Sequence, residues 1–147
     1  MSNDAMARFR DYVELNMEPH KILPEDNERG LISDGISRFE LDGPQARGVV
    51  AVAASHSGQM LESEVSRHMR NVIHQFAGRR HSISKRKFEK AVKILIAMVD
   101  GQITEPAARA WLKRLIENSD VKVRGRGLFR RRRWFRKIKP LRLPAGA

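Results

Sequence analysis

The sequence contains no cysteine, so neither a disulfide framework nor a thiolate metal site is possible. No apolar run reaches the roughly 18–20 residues of a membrane-spanning helix. The first residues carry acids at Asp4 and Asp11 and lack the apolar stretch of a secretory signal peptide. These absences predict a protein of a reducing compartment, either free in the cytoplasm or peripheral on a membrane.

Catalytic and metal-binding patterns are also missing. The five histidines do not form the i,i+3 or i,i+4 pairs that a helical metal site uses. Ser55 and His56 are adjacent, so on a helix they project about 100° apart and do not make a nucleophile–base pair. No phosphate-binding glycine loop is present. We therefore expect a protein without enzymatic activity, metal or cofactor.

Acidic side chains are scarce in the second half, and this absence makes the charge uneven. Residues 1–66 hold 6 Lys/Arg against 12 Asp/Glu, whereas residues 67–93 hold 9 against 1. Residues 121–147 hold 11 Lys/Arg and no acid, out of a net charge of +12 for the chain. Such a distribution indicates two positive surfaces and an anionic partner.

Apolar residues recur at helical spacing through most of the chain, and this predicts an all-α fold. We expect a small bundle of about four to five helices in residues 1–120, followed by a basic, largely non-helical C-terminal extension in residues 121–147. Within the helical domain, residues 1–30 are expected to form an N-terminal helix and a linker, and residues 42–120 the helical core. No internal repeat is visible in the sequence.

The helix boundaries follow from capping residues. Residues 3–17 are expected to form a first helix whose apolar stripe includes Leu15, with a loop over residues 18–30 and a short helix or extended piece after it. Asp42 is a predicted N-cap, and the helix after it either continues to residue 78 or breaks near residues 55–58.

The next two helices are also delimited by their caps. A helix starting at Ser82 or Ser84 is expected to stop at Gly101, and Thr104 is expected to cap the following one. Beyond Asp120, Val121 and Val123 alternate with basic residues, which predicts a short extended segment.

Residues 97–116 admit two interpretations. A helix, an Asp-Gly turn and a capped helix are the order of a DNA-reading helix-turn-helix. Asp100 and Gln102 occupy turn positions that are usually apolar, and Pro106 would lie inside the reading helix. A plain helical hairpin therefore remains the preferred alternative.

A first basic segment, which we call the waist, covers residues 78–90. Its cations lie around a predicted helix N-terminus, where they oppose the helix dipole and where an anion would offset that cost. The alternative is a solvated helix face. The candidate binding residues of the waist are Arg79, Arg80, Lys85, Arg86, Lys87 and Lys90.

A second basic segment, the tail, covers residues 121–147. Arginines would bind phosphates, and Trp134 and Phe135 would stack on bases. Alternatively, the tail would dock on an anionic membrane surface or an acidic protein, or fold back on the core through Trp134. The candidate binding residues of the tail are Arg124, Arg126, Arg130, Arg131, Arg132, Arg133, Trp134, Phe135, Arg136, Lys137 and Lys139.

Taken together, the residues predict a non-enzymatic, sequence-nonspecific nucleic-acid-binding subunit (RNA or DNA) of a multi-subunit complex. The alternative is a peripheral membrane-associated or structural assembly protein that docks through its basic tail.

Overall fold

The computed structural model describes residues 2–125 and 132–141, which are mostly helical. The all-α class is confirmed. The predicted count of four to five helices is not confirmed, because the described residues form seven α-helices. The largely non-helical C-terminal extension is not confirmed either, because the described part of the tail includes a one-turn helix. The elements are α1 (Ser2–Leu15), β1 (Ile22–Leu23), α2 (Glu25–Ser37), α3 (Gly43–Ser57), β2 (Met60–Leu61), α4 (Glu62–Ala77), a 3-10 turn (Gly78–Arg80), β3 (Ser82–Ile83), α5 (Lys85–Met98), α6 (Glu105–Glu117), β4 (Lys122–Val123) and α7 (Arg133–Arg136).

The described chain divides into two compact units. The first extends to Ser63, and the second runs from Glu64 to residue 141 of the described chain. The described part of the tail therefore belongs to the second unit.

The first unit is built on α1, α2 and α3. Phe9 and Val13 of α1 are fully buried, but Leu15 is 87% exposed, contrary to its predicted place on the apolar stripe. Leu15 follows Phe9 by six residues, which places it about 240° round the helix from the buried face. The two short strands of this unit pair in parallel, with Ile22 opposite Met60.

Helix α2 begins inside the predicted loop over residues 18–30, so that loop prediction is wrong in its second half. Pro24 occupies the N-cap position with φ −60°, and Glu25, Asp26 and Glu28 lie in the first turn. Proline is tolerated at a helix start, and acids there interact favourably with the dipole. The proline and the acids that indicated a loop therefore form the start of α2.

The predicted cap at Asp42 is confirmed. Asp42 accepts a hydrogen bond from the backbone N–H of Gln45, whose side chain accepts one from the N–H of Asp42. Helix α3 ends at Gly58, which has φ 72°. The segment around residues 55–58 therefore breaks the helix, as one of the two alternatives predicted.

In the second unit, Ser84 caps α5 and Thr104 caps α6, each accepting from a backbone N–H three residues on. The backbone N–H of Gly101 donates to the carbonyl of Ile96, and φ at Gly101 is 71°. The predicted stop at this glycine is confirmed.

The extended segment after Asp120 is also confirmed. Val121 and Val123 are buried, and β4 pairs in parallel with β3, placing Val123 opposite Ile83. Trp111 of α6 is buried and its indole N–H donates to Ser66 Oγ at 2.8 Å. These contacts give the waist and the start of the tail a common core.

The order of the elements shows an internal repeat that is not visible in the sequence. A helix, strand, helix, helix and strand occur twice, and the two strands of each set pair in parallel. Strand β3 begins 60 residues after β1, and α5 begins 60 residues after α2. Each strand pair closes its unit by joining two loops that are distant in sequence.

Candidate nucleic-acid interface

One face of α5 is basic over its first nine residues, from Lys85 to Lys93, and its last turn carries no cation. At about 100° per residue, four of its five cations fall within an arc of about 140°, Lys87 lies outside it, and the buried residues Phe88 and Leu95 lie on the opposite side. The sequence order puts these four at helical positions 1, 2, 6 and 9, so each of the first three turns carries at least one of them. The four are Lys85, Arg86, Lys90 and Lys93.

Glu89, the acid on this face, is paired with another element. Both of its carboxylate oxygens accept from Arg109 of α6, at 2.5 and 2.6 Å. Arg109 also donates to Glu105 at 2.6 Å. The bond from Arg109 lowers the pKa of the Glu89 carboxyl below its usual 4.5. Because Arg109 is shared with Glu105, it offsets only part of the charge of Glu89, and Lys85 and Lys93 also interact favourably with this carboxylate.

Helix α7 of the tail packs on the opposite, apolar side of α5. The ring of Trp134 lies 5.2 Å from that of the fully buried Phe88, and the ring of Phe135 lies 6.2 Å from it in an edge-on arrangement. Trp134 and Phe135 are consequently half-buried. The aromatic residues therefore anchor the arginines around them to the second unit.

Three hydrogen bonds fasten this segment. The indole N–H of Trp134 donates to the carbonyl of Arg124 at 3.1 Å, and Arg124 Nε donates to Ser82 Oγ at 2.6 Å. Lys113 Nζ donates to the carbonyl of Ile138 at 3.0 Å. Strand β3, strand β4 and α7 are in this way tied to one another through Arg124.

Two adjoining grooves unite the waist with the tail. The first, of about 570 Å³, is lined by α5 cations and by Arg124, and we call it the Arg124 groove. The second, of about 660 Å³, is lined by Trp134 and by further tail cations, and we call it the Trp134 groove. Lys85 and Glu89 line both. Two basic segments separated in sequence therefore form one continuous surface.

Most of the described candidates lie on this surface or beside it. Arg132, Phe135 and Arg136 line a third concavity of about 470 Å³, the Lys122 groove, together with Lys122. The candidates that line the two adjoining grooves are Lys85, Arg86, Lys90, Arg124, Arg133, Trp134, Lys137 and Lys139.

The other candidates lie elsewhere. Arg79 and Arg80 are exposed in the 3-10 turn and line none of these three grooves. Lys87 donates to the carbonyl of Phe76, near the C-terminal end of α4, at 3.1 Å. Three further candidates, Arg126, Arg130 and Arg131, lie outside the described residues.

Sequence reasoning missed four cations of these grooves. Lys93 lines the Arg124 groove and Arg109 the Trp134 groove, whereas Lys113 and Lys122 line the Lys122 groove. Lys93 was detectable, because it follows Lys85 by eight residues and shares its helical face. The positions of Lys113 and Lys122 depend on where α7 docks, and no local pattern indicates that.

The helical pair α5 and α6 has the order of elements expected for the hairpin. Arg109, a cation of the supposed reading helix, is held by two carboxylates, and Trp111 and Leu112 are buried. Most of the cations that line the grooves belong instead to α5 and the tail.

None of the helices in residues 2–125 and 132–141 combines the length and apolar character needed to cross a membrane. Comparisons of this chain with protein-family models, with curated proteins and with solved structures find no match.

Proposed function

We propose that this chain is a non-enzymatic protein that binds RNA or DNA without sequence specificity, as a subunit of a larger nucleoprotein assembly. The observation that supports this function is the joined surface of the Arg124 and Trp134 grooves. Cations from α5 and from the tail line it together, and Arg109 pairs with Glu89, the acid that the two grooves share.

A phosphate backbone is the ligand that best fits this chemistry. Regularly spaced cations on a helix face, with guanidinium groups beside them, match a polyanion in which charge repeats at short intervals. Arg124 is fixed by its bond to Ser82 Oγ, so its guanidinium is held at the groove before binding. Phosphate contacts carry no sequence information, so we expect binding without sequence specificity.

The membrane alternative has less support. A basic amphipathic segment on a lipid surface presents its aromatic side chains to the acyl boundary. Here the rings of Trp134 and Phe135 are half-buried against Phe88 instead. An anionic vesicle is accordingly kept as a competing ligand in the experiment.

The test is a titration of the full chain with a labelled 20-nucleotide oligonucleotide over a range of salt concentrations. The logarithm of the affinity is expected to fall linearly with the logarithm of the salt concentration. The double variant K85Q/R86Q should reduce that slope by about 1 to 2, roughly one for each lost phosphate contact. Both residues lie in the first turn of α5, where removing positive charge relieves the helix dipole. Weaker binding will therefore not reflect a destabilised helix.

The matched control is R10Q/R47Q, which changes the net charge equally but alters exposed arginines of the first unit. It should leave the salt slope unchanged. A flat salt dependence, or equal effects of the two double variants, would contradict the proposal. Co-sedimentation with anionic vesicles, without binding to the oligonucleotide, would establish the membrane alternative in its place.

A further inference from the structure

We infer that the ligand is a single-stranded nucleic acid and that an unpaired base of it lies against Trp134 in the Trp134 groove. This inference rests on the proposed function and adds the class of strand and a base-binding position. It follows from the mixture of apolar and cationic side chains that line this groove.

The Trp134 groove has an apolar wall next to its cations. Pro106, Ile138 and Leu141 line it together with the indole of Trp134, and Leu141 is 41% exposed. Its volume of about 660 Å³ lies within the roughly 300–1,000 Å³ of ligand pockets. Phosphates alone would leave this apolar wall in water. A nucleotide covers both parts, because its base is flat and largely apolar and its phosphate is anionic.

Cations surround the apolar wall on more than one element. Lys85 comes from α5, whereas Arg133, Lys137 and Lys139 come from the tail. Lys85 also lines the Arg124 groove, so a strand with a base in the Trp134 groove can place neighbouring phosphates along α5.

Trp134 is held in place without a ligand. Its ring packs on Phe88 and lies 5.7 Å from Phe135, and its indole N–H is bonded to the carbonyl of Arg124. A side chain fixed in this way loses little conformational entropy when a base stacks on it. Aromatic stacking is tolerant of sequence, because every base has a π face.

A duplex fits this groove less well than a single strand. Its base faces are stacked inside the helix, so it would present phosphates, sugars and base edges but no free π face to cover the apolar wall. A single strand offers bases and phosphates together. The Arg124 groove would bind either ligand, so the Trp134 groove would discriminate between a single strand and a duplex.

Phe135 has a different role from Trp134. It lines the Lys122 groove, and Lys113 Nζ lies 5.5 Å from its ring centroid. The cation occupies a position that a base would need, so Phe135 serves as an anchor of α7.

The experiment compares a 20-nucleotide single strand with a hairpin duplex of matched sequence, both titrated into the full chain at the same salt concentration. The single strand should bind at least about tenfold more tightly and should quench tryptophan fluorescence. The chain has two tryptophans, and Trp111 is only 2% exposed, so quenching reports on Trp134. A single strand of abasic sugar phosphates should bind like the duplex and cause no quenching.

Two variants locate the base. W134L keeps an apolar contact with Phe88 but removes the π face and the indole N–H, and it should weaken single-strand binding roughly 5- to 150-fold. L141S alters the apolar wall at a side chain that does not support the core, and it should weaken single-strand binding several-fold. The control L15S changes an exposed leucine of the first unit and should have no effect.

The outcomes separate this inference from the proposed function. Equal binding of strand, duplex and abasic strand, with a normal salt slope and no loss in L141S, would overturn the base-binding position and leave the phosphate contacts intact. Absence of binding to every nucleic acid would overturn both.

Discussion

At the scale of single residues, the Glu89–Arg109 pair decides the charge of the candidate interface. Glu89 lies among the lysines of α5, yet its carboxylate is fully engaged by a guanidinium from α6. Both side chains are about one-third exposed or less, at 33% and 27%. A bidentate pair at this depth also links α5 to α6, so the contact has a structural and an electrostatic consequence.

Replacing Glu89 by glutamine is expected to lower the free energy of unfolding by about 1 kcal/mol at neutral pH. The Arg109 bond lowers the pKa of the Glu89 carboxyl in the folded state, so this stability is complete above the usual value of 4.5. It is lost as the pH falls through the lower folded pKa. The difference between the wild type and E89Q should therefore shrink in acid, as measured by urea unfolding between pH 3 and pH 7.

The control for this prediction is E64Q, which alters an exposed glutamate of α4 and should change stability by less than about 0.5 kcal/mol at any pH. A difference between the wild type and E89Q that stays constant down to pH 3 would argue against the ion pair.

At the scale of elements, helix ends determine where the grooves form. The break at Gly58 separates α3 from α4, and the turn at Gly101 separates α5 from α6. Each break returns the chain so that the following strand can pair with an earlier loop. Without these returns, β3 and β4 would not meet, and Arg124 would not reach Ser82.

Gly58 and Gly48 provide a matched test of this view. Gly58 has φ 72°, which L-residues with a side chain adopt only at a cost, so G58A should destabilise the protein by about 1 kcal/mol. Gly48 lies inside α3 with open space around its position, so G48A should stabilise by about 0.5–1 kcal/mol. Thermal unfolding measures both, and a destabilised G48A would contradict the assignment of α3 as continuous.

Tertiary contacts also limit what the sequence can predict about the helices and strands. The caps at Asp42, Ser84 and Thr104 were predictable, because their partners lie three residues away in the chain. The start of α2 was missed because proline and acids are common in loops as well as in first turns. The docking of α7 was only one of several alternatives, because Phe88 and Trp134 are 46 residues apart.

At the scale of the whole molecule, the two units repeat an order of elements but differ in charge. Helix α2 begins with Glu25 and Asp26, and α5 begins 60 residues later with Lys85 and Arg86. The acids at the start of α2 interact favourably with the helix dipole, whereas the cations at the start of α5 do not. The start of α5 is therefore destabilised by the helix dipole, and a bound anionic ligand would offset that destabilisation. This agrees with the proposed function.

Ligand binding should increase the free energy of unfolding of the second unit. Both tryptophans lie in it, so the fluorescence emission maximum follows its unfolding. A single-stranded oligonucleotide at 100 times its Kd should stabilise the folded state by about 2.7 kcal/mol and raise the Tm. The increase should be smaller in K85Q/R86Q and vanish near 1 M salt. An equal increase in both proteins at every salt concentration would indicate binding elsewhere.

The sequence by itself determined the helical class, the main caps and the basic character of the waist and the tail. Helical periodicity, hydrogen bonds within a turn and net charge are local properties, and they can be read from neighbouring residues. The tertiary structure decided which cations share a groove, that Arg109 pairs with Glu89, and that Trp134 is fixed beside Phe88. Those arrangements depend on contacts between residues far apart in the chain, which form only when the strand pairs close and α7 packs on α5.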